Sequence, residues 1–111
     1  MFVTITSLEL KNPFKFFALS LYALRIIKQL QNTPCIDKKT SGVWTMHYTM
    51  TLWNTEEDLK AFAKQGAHLD AMRKSGLIAK QIRILTYQAD KLPDWKTAKQ
   101  KLLTEGRVHN F

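Results

Sequence analysis

From Val43 to Trp53 the chain reads VWTMHYTMTLW, apolar and small or polar side chains in turn. A period of two is the repeat of a β-strand, which sends successive side chains to opposite faces. Trp44, Met46, Tyr48, Met50 and Leu52 share one face, where Trp44 and Tyr48 are expected as core. Val43, Thr45, His47, Thr49, Thr51 and Trp53 share the other. Neither face carries a charge, so the strand is expected to be covered on both sides. The second face, small and semi-polar, suits a pocket wall or a sheet-to-sheet interface. Asn54-Thr55 and the acids Glu56, Glu57 and Asp58 follow at once. Thr55 with Asp58 three residues on resembles a capping box, and acids in the first turn favour the helix dipole.

The other segments fall into place around this strand. Met1–Leu10 is rich in β-formers and has no charge before Glu9, which predicts a first strand. Asn12-Pro13 starts a helix that runs to about Gln31. Phe17, Leu21, Leu24, Ile27 and Leu30 mark one of its faces, and Phe14, Phe16, Tyr22 and Ile26 extend the apolar surface further. Such a helix needs cover on more than one side: a sheet for one, a second subunit or the C-terminal helix for the other. Cys35–Lys39 is predicted as a short edge strand, turned at Thr40-Ser41-Gly42 into the central one. Leu59, Phe62 and Ala63 form the stripe of the next helix. A break at Gly66 would re-aim the chain so that His68, Ala71, Met72 and Ser75 turn inward, opposite Asp70, Arg73 and Lys74. Ile78–Ala89 is a further strand. Leu92-Pro93-Asp94-Trp95 opens a last helix with the stripe Trp95, Ala98 and Leu102, its lysines outside, which Gly106 ends. The order is that of an α+β, ferredoxin-like βαββαβ domain with an antiparallel sheet and an added C-terminal helix. It spans residues 1–106, with 107–111 a loose tail that includes His109.

A chain of 111 residues fits one domain, and 45% hydrophobic residues argue against disorder. Lys and Arg number 17 against 9 Asp and Glu. A net charge of +8 raises nucleic acid or a membrane surface as partners. The basic residues are dispersed, with no nucleic-acid-binding signature, so neither partner is expected. The apolar run Phe16–Leu24 is too short and interrupted to span a bilayer, and no small-residue cleavage site follows it. Cys35 is the single cysteine. It permits no internal disulfide, suits a cytoplasmic setting, and reads as a structural or incidental thiol. No HExxH, GxSxG, P-loop or dinucleotide glycine pattern occurs, so those chemistries lack support.

Several residues are candidates for a site. His68 reads as a general acid or base in a pocket or as a structural histidine. His47 could line the same cavity or an interface. Trp53 could wall a pocket or stack on a ring; core packing is the alternative. Met72 follows His68 by four residues and could touch the same ligand. Arg83 could meet a carboxylate or propionate, or simply be exposed.

The stretches WTMHYTMTLWNTEEDLKAFA, GAHLDAMR and LPDWKTA together resemble an uncharacterised family related to spheroidene monooxygenase. That family sits among the dimeric α/β-barrel proteins, with antibiotic biosynthesis monooxygenases, haem-degrading monooxygenases and chlorite dismutases. The resemblance covers Trp44 to Ala98. It implies a homodimer of ferredoxin-like subunits and a pocket between sheet and helices. It also implies a monooxygenase-like oxidoreductase that binds or oxidises a hydrophobic small molecule, with haem as a cofactor candidate and His68 where a haem ligand would sit. A non-catalytic ligand-binding dimer and a cofactor-free quinol-type monooxygenase are the alternatives.

Overall fold

The computed structural model describes residues 1–31, 33–63, 76 and 78–110. Its strands are β1 (Phe2–Leu10), β2 (Cys35–Val43), β3 (Met46–Trp53), β4 (Ala79–Gln88) and β5 (Arg107–Asn110). Its helices are α1 (Phe16–Leu30), α2 (Glu56–Ala63) and α3 (Trp95–Glu105); a 3-10 turn at Pro13–Lys15 leads into α1. The sheet order is β2-β3-β1-β4-β5, and every neighbouring pair is antiparallel. The first four strands give the ferredoxin-like order, with β1 and β3 at the centre.

The alternation read from the sequence settles which residues share a face. Val3 faces Leu52 and Tyr87, and Ile5 faces Met50 and Leu85. These side chains form the main core, which α3 closes with Ala98 and Leu102. Trp95 packs edge-on against Tyr48, ring centroids 6.3 Å apart. Lys99 and Lys101, expected outside, lie instead over the rings of Tyr48 and Tyr87 at 4.7 and 4.8 Å. Each ammonium group sits within cation–π reach of its ring, and Lys101 Nζ also lies 3.6 Å from Glu105 Oε2. Burial pushes the Tyr87 phenol above its usual pKa, and Glu105 adds to the shift.

The opposite face carries a second cluster of Leu30, Trp53 and Phe62, with Ile26 and Leu59 beside it. Here α1 and α2 meet the sheet. Thr55 caps α2 as expected, its Oγ1 accepting from Asp58 N at 3.2 Å. Asp94 caps α3, its carboxylate accepting from Thr97 N at 2.7 Å.

Three expectations change. The β2–β3 turn lies at Trp44-Thr45, because β2 runs on to Val43 and Val43 pairs with Met46. Trp44 is therefore no core residue: it is 77% exposed. The last helix does not back α1, since α3 packs on the other face of the sheet. The segment after Gly106 is no loose tail; residues 107–110 pair with β4.

The Asp94 cap makes a pH prediction. The Thr97 backbone N–H, then the Thr97 side chain, hold the Asp94 carboxyl below its ordinary pKa. A depressed carboxyl contributes stability above its unfolded pKa and loses it as pH falls through the folded value. Asp94→Ala should therefore melt at lower urea than wild type at neutral pH, and the gap should close in acid. A gap that persists undiminished in acid would refute this role for the carboxylate.

Candidate functional site

The face of the sheet under α1 is uncharged across the paired rows of β3, β1 and β4, and is flanked by Lys38 on β2 and Arg107 on β5, in register with Thr51 and Ile84. Register across β3, β1 and β4 stacks it in rows: Trp53, Phe2 and Gln88; Thr51, Thr4 and Thr86; Thr49, Thr6 and Ile84; His47, Leu8 and Ile82. Thr4 and Thr86 bring their hydroxyls within 3.0 Å of each other. Trp53 donates its indole N–H to Thr51 Oγ1 at 2.9 Å. With strands about 4.8 Å apart, a three-strand row spans about 10 Å, the width of a fused-ring organic molecule. The hydroxyls can turn to donate or accept, so this floor can greet a carbonyl or a hydroxyl without a charge.

Helix α1 touches the floor at its two ends. Phe16 meets the His47 ring at one end, centroids 5.6 Å apart. Leu30 joins Trp53 and Phe62 at the other, where the Gln29 amide also donates to Phe62 O at 3.4 Å. Leu19, Ala23 and Ile26 lie between on the same helical side, at spacings of three and four, and are half-buried. Thr49, Ile84 and Thr86 remain exposed in the middle of the floor. Among the described residues, α1 therefore meets this face at its two ends, with a trough running between them.

His47 stands at the open end of β3 in a fixed pose. Its Nε2 lies 3.2 Å from the Trp44 carbonyl. A carbonyl only accepts, so in the neutral ring Nε2 carries the proton and Nδ1 is left as the acceptor. Gly42 pairs with His47 across the hairpin. A Cβ there would stand 2.5 Å from His47 Nδ1 and 3.0 Å from Cε1, so the imidazole occupies the space that only glycine leaves. Gly42→Ala should push the ring off Phe16 and the Trp44 carbonyl, at a cost of about 1–3 kcal/mol. The check is the His47 ring resonances with a urea melt; unchanged shifts would show that the close approach does not hold the ring.

Trp53 is fully buried, and its ring packs against Phe62 with centroids 5.3 Å apart. It forms one end of the trough rather than a free stacking surface. Arg83 points to the other face, in register with Ser7 and half-buried, its Nε 3.3 Å from Gln81 Oε1. The sheet separates it from His47 and Trp53. His68 and Met72, with the predicted break at Gly66, lie outside the described residues. Among the described residues no group of three or more His, Cys, Asp or Glu could hold a metal ion. A haem iron takes a single axial side chain, and the residue expected for it, His68, lies outside the described residues. Cys35 lies at the far end of α1 from His47. Burial raises its thiol pKa, which keeps it protonated and suits the reading as a structural thiol.

The sequence reading missed the contribution of Phe16 and Gly42 to this site. Phe16 looked like one more apolar residue of an over-greasy helix. The glycine read as a turn residue, although its pairing with His47 follows once the turn is placed at Trp44-Thr45.

No family model and no curated protein matches the chain. Solved structures do. A candidate antibiotic biosynthesis monooxygenase from Deinococcus radiodurans superposes with a TM-score of 0.70 at 11% identity, covering 85% of this chain and 97% of that one. A conserved protein from Methanosarcina mazei Go1 gives 0.72 at 14% identity over 80% and 92%. A second candidate antibiotic biosynthesis monooxygenase, from Nitrosomonas europaea, gives 0.67 at 17% over 82% and 100%. This chain has the fold of the antibiotic biosynthesis monooxygenases. At such identities the likeness is one of fold alone, and the site must be argued from its own residues.

Proposed function

We propose that the chain binds a neutral hydrophobic small molecule in the trough under α1 and oxidises it in a monooxygenase-like reaction, acting as a homodimer. The observation that carries this reading is the uncharged floor of Thr51, Thr4 and Thr86, end-stopped by His47 with Phe16 and by Trp53. Hydroxyls would orient a carbonyl or phenol of the substrate, and the aliphatic side of α1 would cover its rings. His109 shares this face, in register with Ile82 on β5; His47, whose Nδ1 is the acceptor in the neutral ring, is the imidazole at the Phe16 end of the trough. In this reading it takes a proton from an acidic C–H or O–H of the substrate. In the cofactor-free form, dioxygen is the oxidant and an activated methylene the reductant: CH2 + O2 gives C=O + H2O, and the proton taken by His47 returns in the water.

The haem-dependent reading keeps His68 as the iron ligand and Met72 beside it. It is separated by a haem titration. A Soret shift that His68→Ala abolishes supports it, and no shift removes it. For the main reading, the test is oxygen uptake with a panel of anthrone-, quinol- and phenol-type compounds, alongside ligand binding by fluorescence. Binding with uptake that falls at least about tenfold in His47→Ala is expected. Binding without uptake would favour the non-catalytic ligand-binding dimer, and neither would overturn both. Sedimentation velocity at micromolar concentration tests the dimer.

A further inference from the structure

The outer side of α1 is a second apolar stripe. Phe17, Leu21 and Leu24, at spacings of four and three, lie roughly opposite the half-buried Leu19, Ala23 and Ile26. Phe17 is 78% and Leu24 66% exposed, and Phe14 in the preceding turn is 83% exposed. Trp44 joins them at one corner of the molecule. Leu10 N donates to Thr45 O at 2.8 Å, tying the hairpin tip to the segment that enters α1. Contacts also run from the Trp44 carbonyl through His47 and Phe16 to Phe17.

Trp44 is held there against its backbone preference. Its φ is 57°, the one positive φ among the described non-glycine residues. It stands at the first position of a two-residue hairpin loop, where glycine or asparagine is at ease. A strained position that exposes a large aromatic is a hypothesis of function. The charges around the stripe point one way. From Lys11 to Pro34 there are four cations, Lys11, Lys15, Arg25 and Lys28, and no acid.

We propose that the outer face of α1, with Phe14 and Trp44, docks on an anionic lipid surface. Phenylalanine, leucine and tryptophan would enter the headgroup–acyl boundary, with lysine and arginine on the lipid phosphates. No described helix is long and apolar enough to cross a membrane; the helix lies in the interface plane instead. A second copy is the poorer occupant, because a two-fold contact through this face would set Arg25 and Lys28 against the same pair, with no acid between Lys11 and Pro34 to offset them. The proposal stands apart from the oxidation reading: it concerns the other side of α1.

The test is co-sedimentation of the full chain with vesicles of phosphatidylserine and phosphatidylcholine, against phosphatidylcholine alone. Binding at least about tenfold tighter to the anionic vesicles is expected, with salt weakening it. The double change Phe17→Ser and Leu24→Ser, both exposed, should leave the far-ultraviolet dichroism unchanged and remove binding. Trp44→Gly should raise the melting temperature, by relieving the loop, while weakening vesicle binding several-fold. No binding to anionic vesicles overturns the proposal, as does equal binding to both compositions. Concentration-dependent dimerisation that the Phe17 and Leu24 changes abolish, with no vesicle binding, overturns it in favour of a second copy.

Discussion

Trp53→Ala is expected to be the most damaging single truncation among the described residues, at about 3–5 kcal/mol. The ring is fully buried, packs on Phe62, donates to Thr51, and joins Leu30 and Phe62 where α1, α2 and β3 converge. Its removal opens a void at the junction of three elements and leaves the Thr51 hydroxyl without that donor. For a domain stabilised by about 5–15 kcal/mol, the variant would be partly unfolded at physiological temperature. Trp53→Phe should cost less, because the ring volume is mostly kept and only the N–H is lost. Urea denaturation of the three proteins is the measurement. A Trp53→Ala midpoint close to wild type would show that α1 and α2 are not anchored there.

Leu102→Ala is the second. Leu102 is 1% exposed and, with Ala98, sits on Val3, Ile5, Met50 and Leu52. The expected cost is about 2–5 kcal/mol. Its neighbour Leu103 is 65% exposed, and Leu103→Ala should change stability by no more than about 0.5 kcal/mol. The pair isolates packing from helix propensity, since the same substitution is made one residue apart on the same helix. Equal effects at the two positions would mean that α3 does not lie on the sheet.

Most of the framework could be read from local pattern. The strict alternation of Met46 to Trp53 gave both the strand and its two faces, because period two admits no other element. Thr55 announces its helix through a cap that the structure retains, whereas the Asp94 cap of the last helix comes from the structure. The stripe Trp95, Ala98 and Leu102 was legible for the same reason. What failed were the features that depend on partners distant in sequence. Nothing local tells whether a turn falls at Gly42 or two residues later. That choice alone moves Trp44 from core to surface and brings Gly42 against His47. The pairing of residues 107–110 depends on the free edge of β4, which no local signal shows. The excess grease of α1 was visible, but which side faces the sheet was not: Phe17, Leu21 and Leu24 had been grouped with Leu30, and only Leu30 is buried. Of the candidate site, His47 and Trp53 fall on one floor, whereas Arg83 was placed with them by residue type and lies behind the sheet.

The two outermost strands bear on how copies of this chain could assemble. β5 is four residues long with every residue exposed, and β2 carries Asp37, Lys38 and Lys39 along its length. Brief or charged rims are poor templates for a further strand. Main-chain zippering of one molecule onto the next, the route to a continuous intermolecular ribbon and ultimately to fibrils, is therefore disfavoured at both borders. Concentrated solutions should stay free of thioflavin-positive aggregates, and self-association, where it occurs, should be led by side chains.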